Sequence, residues 1–166
     1  WEVTVYCQTD QFSKDLPAMW NDVNLVYVPV KHLGALGTII FDWKVVCPAL
    51  SSDGLFLTLG YNTAIFNTLQ YFKGQTNIIN MDGIEWRRDK WGPIAKTWFW
   101  LNERAGCWVG NHLVADHPRI KEHLATRVRD NKITMIPYGG DEVLEANPSL
   151  LSVYGLHPNG YSVIIA

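Results

Sequence analysis

Residues 81–92 read "MDGIEWRRDKWG". Asp82 and Glu85 lie three apart around Gly83, and Trp86, Arg87, Arg88 and Trp91 follow. A carboxylate can accept hydrogen bonds from sugar hydroxyls or orient one hydroxyl for reaction. An indole can lie on the apolar face of a pyranose, and a guanidinium can hold a phosphate. The mixture therefore suits a ligand rich in hydroxyls that carries, or is transferred from, a phosphate. The plainer alternative is a structural loop. Asp82 would cap a turn, Glu85 would pair with Arg87 or Arg88, and both tryptophans would pack on the helix below, since surface ion pairs and buried indoles are common.

Placement favours the ligand. The runs "EVTVYC", "VNLVYVPV", "GLFLTLG", "TNIINM", "HLVAD", "ITMIPYGG" and "YSVIIA" are short and rich in β-branched or aromatic residues, as strands are. "GLFLTLG" is apolar almost throughout and suits a strand buried on both faces. Residues 8–22 read as loop. Between the strands, "NTAIFNTLQYF" has helical spacing with Asn62 or Thr63 as N-cap, and "HPRIKEHLATRV" is amphipathic. "GPIAKTWFWLNERAGCWVG" begins on Pro93 and is apolar around much of its circumference, which predicts deep burial. "GTIIFDWKVVCPAL" is a helix or two short strands, its length favouring helix with Pro48 near the end. "NPSLLSVYGL" starts a further helix with Asn147 as cap. The alternation predicts an α/β fold, a Rossmann-like three-layer sandwich with a mainly parallel sheet and helices on both faces. Ligands of such sheets lie beyond the carboxyl ends of the strands, where the "MDGIEW" loop falls.

Other segments share that rim. Gly60, Tyr61 and Asn62 end a strand, and the helix start behind them offers N–H groups to an anion. Tyr138, Gly139, Gly140 and Asp141 form another rim loop, whose paired glycines permit positive φ. Both also read as ordinary turns. His117 stands on the rim as well. The spacings of His112, His117 and His123 match no helical metal pair, and no metal site is expected. No cofactor is expected.

Composition narrows the classes. With 48% apolar and 18% charged residues, the 166-residue chain can bury a core. A net charge of -2 gives no reason to expect nucleic acid, and Asp89 interrupts the only basic and aromatic run. Cys7, Cys47 and Cys107 are odd in number and widely spaced, which fits reduced thiols in a cytoplasmic protein. The chain opens on a strand-like run at Trp1 and closes on another, as a piece of a longer protein would.

"NMDGIEWRRDKWG", the helix "PIAKTWFWLNERAG", then "VADHPRI" and "ITMIPYGGD", in that order and spacing, resemble the amino-terminal half of retaining, two-domain bacterial glycosyltransferases of the GT-B type. More narrowly they resemble the rhamnosyltransferase-like subgroup defined by the domain of unknown function 1972. The likeness spans nearly the whole chain and departs from the family in two places. The family's first strand and glycine-rich loop are missing, and Asp116 and His117 stand where relatives carry a serine.

The resemblance implies transfer of a sugar, rhamnose in that subgroup, from a nucleotide-sugar donor to a glycan or lipid-linked glycan during polysaccharide biosynthesis. Residues 1–160 would form the acceptor-side domain, and 161–166 would begin a donor-binding domain that is absent. Asp82 would be catalytic. Gly83, Glu85, Trp86, Arg87, Arg88, Trp91, Gly60 and Asn62 would bind the acceptor, and His117, Tyr138, Gly139 and Asp141 would line the cleft. The isolated chain would be inactive. It would lie in the cytoplasm, with peripheral association at the inner face of the membrane, and would dimerise through exposed strands. The alternative is a non-catalytic carbohydrate-binding or interaction module.

Overall fold

The computed structural model describes residues 1–9, 16–31, 34–140, 147, 149–157 and 159–162. Strands and helices alternate along it, and the strands form two hydrogen-bonded sheets. In the smaller, β1 (Val3–Thr9) pairs in parallel with β3 (Val23–Pro29), and β2 (Met19–Trp20) lies antiparallel to β3. The larger is all parallel, in the order β4 (Leu55–Leu59), β5 (Thr76–Asn80), β6 (His112–Ala115), β7 (Ile133–Met135). Helices flank it, giving a Rossmann-like α/β fold.

The elements follow from local chemistry with a few surprises. β2 falls in a stretch that reads as loop. Asn21 and Asp22 adopt φ of 46° and 63°, and this pair of left-handed residues folds Met19–Trp20 back onto Val23–Asn24. Helix α1 (Gly34–Ala49) settles the ambiguous run as helix, with Pro48 in its final turn. The run after β4 splits into a 3-10 turn, Ala64–Phe66, and a short helix α2 (Asn67–Phe72). Thr63 makes no capping bond, because its hydroxyl donates to Asp42 Oδ2 at 2.6 Å. Helices α3 (Pro93–Val109), α4 (Pro118–Ala125) and α5 (Ser149–Val153) complete the set. Asn147 Oδ1 accepts from the Ser149 N–H at 3.0 Å, as a cap should.

The core lies on one face of the larger sheet. Ile79, Leu113 and Ala115 are fully buried there, packed with Tyr61, Met81, Phe99, Cys107 and Leu124. Burial pushes the Cys107 thiol up to about 11, with the Glu103 charge adding to it. Two expectations fail here. β4 is not buried on both faces, because Leu55, Leu57 and Leu59 are 50%, 61% and 78% exposed while Phe56 and Thr58 turn inward. Helix α3 is not buried all round either. Phe99, Asn102, Glu103, Gly106 and Cys107 face in, whereas Ile94 and Trp108 are exposed.

A buried amide network ties β4, α2 and β5 together. Gln70 Oε1 accepts from Asn67 Nδ2 at 2.8 Å and from Asn77 Nδ2 at 2.9 Å, and Asn77 Oδ1 accepts from the Thr58 hydroxyl at 3.0 Å. Each amide thus leaves water with its bonds replaced.

The joint between α3 and β6 tests how tightly this core is packed. A Cβ on Gly110 would meet Leu113 Cδ2 at 2.9 Å and the Gly106 carbonyl at 3.0 Å. Gly110→Ala is therefore expected to destabilise the domain by about 1–3 kcal/mol through overpacking, seen as a lowered Tm in thermal unfolding.

Candidate functional site

The parallel strands β4 to β7 all end at one edge, and the loops there hold most of the residues singled out by sequence. The β5 ladder runs one residue past the strand, with Met81 N–H donating to the Val114 carbonyl at 2.8 Å. That bond buries Met81 and leaves Asp82 exposed. The β7 ladder does the same, with Ile136 N–H donating to the Ala115 carbonyl at 2.8 Å. Pro137 and Tyr138 then pass across the strand ends.

Tyr138, 73% exposed, brings its phenol against Asp116 and Asn80. The charges of Asp82 and Asp116 push its pKa up, so the phenol stays a neutral donor. Oδ1 of Asn80 and Oδ1 of Asp116 are buried without a hydrogen-bond partner among the described residues. A buried acceptor left unpaired costs about 1–3 kcal/mol. Asp82, Asn80, Asp116 and Tyr138, from three neighbouring strand ends, thus form a cluster rich in acceptors, with the Tyr138 phenol and the Asn80 amide nitrogen as its donors.

The loop after Asp82 is held from inside. The Glu85 N–H donates to the buried Tyr61 hydroxyl at 2.8 Å. Burial, together with the nearby Glu85, Glu103 and Asp82 charges, drives the Tyr61 pKa far up. The Glu85 carboxylate accepts from Arg88 Nη1 at 2.7 Å and from Trp91 Nε1 at 2.8 Å, with Lys90 Nζ at 3.6 Å. Burial opposes its charge, but the bonds from Arg88 and Trp91 and the Arg88 and Lys90 charges prevail and hold its pKa below the usual carboxylate range. Trp91 packs on Phe99 at 5.1 Å with Lys90 over its ring at 4.7 Å. Trp86 carries the Arg87 guanidinium at 5.0 Å and lies 6.0 Å from the His123 ring.

Beneath the loop sits Glu103, 1% exposed on α3. Its Oε2 accepts from Trp86 Nε1 at 2.8 Å and contacts His123 Nε2 at 3.0 Å, and its Oε1 accepts from Arg127 Nε at 2.6 Å. One buried carboxylate thus joins the loop to α3, α4 and the segment after α4.

The other expected residues divide. Gly60 has φ +97° with open space where a Cβ would stand, so its backbone conformation requires glycine. At the helix start behind it the Ala64, Ile65 and Phe66 N–H groups are taken, donating to the Tyr61 carbonyl at 3.0 Å, Asn102 Oδ1 at 2.9 Å and the Thr63 carbonyl at 2.9 Å. Neither Gly139 nor Gly140 uses the positive φ that glycine permits. His117 caps α4, its Nδ1 accepting from the Arg119 N–H at 3.1 Å. Asn62 is exposed and lines a cavity with Glu85 and Trp91. Gly83 lies beside Glu85 at the start of the loop. Asp141 and residues 163–166 lie outside the described residues. Sequence reasoning missed Asn80 and Glu103 and left Asp116 without a role. Asn80 and Asp116 could have been found by asking which polar residues end adjacent parallel strands.

Fold and rim together define a Rossmann-like α/β domain with its candidate site at the carboxyl edge of a parallel sheet. The family described as domain of unknown function (DUF1972) matches residues 2–141, and the chain belongs to that family, which is associated with glycosyltransferases. No curated protein matches the chain.

Glu103→Ala should destabilise the domain by about 3–5 kcal/mol, since it strands Arg127 and His123 near a buried site. Denaturant titration measures this, and the emission of Trp86 should shift in the same variant. Glu85 gives a pH signature. Its folded pKa is depressed, so the stability it contributes is complete above the usual value of 4.5 and is lost as pH falls through the folded pKa. The stability gap between wild type and Glu85→Gln should therefore shrink from about pH 6 to about pH 3, as measured by urea unfolding.

Proposed function

We propose that this domain forms the acceptor side of a retaining, two-domain GT-B glycosyltransferase in polysaccharide biosynthesis. It takes a sugar, rhamnose in the narrowest reading, from a nucleotide-sugar donor to a glycan or lipid-linked glycan. A second domain supplies most of the donor site. The observation that carries the reading is the rim cluster, in which two carboxylates, an amide oxygen and a neutral phenol converge at three parallel strand ends, two of the oxygens being buried and unpaired. Sugar hydroxyls are donors of the kind those oxygens lack.

In this reading Asp82, exposed at the end of β5, accepts a hydrogen bond from the acceptor hydroxyl that attacks the anomeric carbon. Asp116 and Asn80 face neighbouring hydroxyls, and the Tyr138 phenol, held against Asp116, turns its oxygen to a sugar hydroxyl. Arg87 stands on the loop for the donor phosphate. Arg88 is tied to Glu85 but its side chain is 57% exposed, so a guanidinium edge stays open to the same group. Glu85, Trp86 and Trp91 hold the loop in shape, Gly83 opens it beside Asp82, and Gly60, Asn62, His117 and Gly139 border the site. The protein works at the cytoplasmic face of the membrane.

The test is release of nucleoside diphosphate from nucleotide sugars, in the presence of a glycan pool, by the longest chain that carries this domain. Asp82→Asn and Asp116→Asn are each expected to lower turnover by about 10²–10⁴-fold with the fold intact. Wild-type rates in both variants would defeat the assignment. Glycan binding without turnover for any nucleotide sugar would identify a carbohydrate-binding module instead.

A further inference from the structure

Next to the rim, α1, the 82–92 loop and the first turns of α3 enclose a cavity of about 730 Å³. Ile39, Trp91, Ile94, Trp98 and Phe99 supply its walls, with Asn62 at the edge. The volume falls in the range of small-molecule sites, about 300–1,000 Å³.

The indole and carboxylate groups of the wall and the Thr63 hydroxyl are engaged elsewhere, which leaves the Asn62 side-chain amide and the first N–H groups of α3 as its polar contacts. Trp91 Nε1 donates to Glu85 Oε2 at 2.8 Å, and Arg88 occupies the other Glu85 oxygen at 2.7 Å. Trp98 Nε1 donates to the Asn62 carbonyl at 2.8 Å, and the Thr63 hydroxyl to Asp42 at 2.6 Å. A sugar entering here would give up its bonds to water with little in return. A hydrocarbon gives up none and buries its surface. The apolar surface also continues outward, since Ile94 is 88% exposed at the rim and Leu36, beside the wall residue Ala35, is 56% exposed. An apolar group can thus run from the cavity into the surroundings, as a chain does and a compact ring does not.

We infer that this cavity binds a single alkyl or isoprenoid-like chain. The chain's owner, the lipid tail of the acceptor, rests on the acceptor reading above. The cavity itself does not. The 82–92 loop joins the two regions, with Asp82 at its rim end and Trp91 in the cavity wall, so that an amphiphile would present its sugar to the cluster while its tail is held alongside.

Calorimetric titration with methyl, hexyl and octyl β-glucosides below their micelle concentrations tests the inference on the intact chain. Affinity should rise about fourfold per methylene between hexyl and octyl, and the methyl glucoside should bind far more weakly. Ala35→Phe, which fills the cavity from α1, should weaken octyl glucoside binding at least tenfold. Ala95→Phe fills it from α3 should the first variant fail to fold. Equal affinity for methyl and octyl glucosides, no binding by either, or no effect of a folded filling variant would overturn the proposal. 1-Octanol binding as tightly as octyl glucoside upholds the chain site and counts against the acceptor reading. Tighter octyl glucoside binding that Asp82→Asn abolishes supports both. Binding to phosphatidylcholine–phosphatidylglycerol vesicles that the filling variants lose would assign the chain to a bilayer lipid.

Discussion

The Glu103 carboxylate holds the site together. A charge at 1% exposure survives only if its lone pairs are filled, and Trp86, His123 and Arg127 fill them from three different segments. The requirement runs both ways. Arg127, half-buried, needs the carboxylate, and the Trp86 indole N–H has its bond there. The loop cannot drift from α3 without unpairing a buried ion, and α4 cannot drift without unpairing the same one.

Rigidity of that kind sorts side chains by role. Glu85, Trp86 and Trp91 spend their polar groups inward, and their ring faces are covered by Arg87, Lys90, Phe99 and His123. The acid that the loop leaves free toward solvent at its strand end is Asp82, next to the unpaired oxygens of Asn80 and Asp116, while Arg87 and Arg88 stay exposed farther along. The motif is therefore scaffold along most of its length and chemistry at one end. A held backbone is what positioning a reactive hydroxyl demands, because small misplacements cost large factors in rate.

The alternating pattern made the fold legible, because strand and helix periods differ and each is set by burial of one face. Position on the rim was legible for the same reason, since strand ends follow from the strands. Partnership was not. Nothing in "EWRRDKW" tells which carboxylate takes which indole, and Glu103 is one acid among several on a helix whose sequence looks apolar. The β2 hairpin was legible in principle from Asn21–Asp22, a pair that tolerates left-handed φ. The exposed face of β4 was not, because an unbroken apolar run carries no alternation to say which side is covered.

The division of the strands between two sheets bears on cooperativity. Among the described residues the ladder of β1, β3 and β2 shares no strand with that of β4 to β7, and α1 bridges them. Lys44 Nζ donates to the Pro29 carbonyl at 2.8 Å on one side, and Asp42 accepts from Thr63 at 2.6 Å on the other. The smaller sheet can therefore open as its own unit without breaking a ladder bond of the larger. Because α1 contributes Ala35, Thr38 and Ile39 to the cavity wall, anything bound there ties the bridging helix more firmly to the larger unit. Such an occupant would strengthen the joint between the two parts, raising the free energy of any opening that breaks it by the amount that its own binding sets.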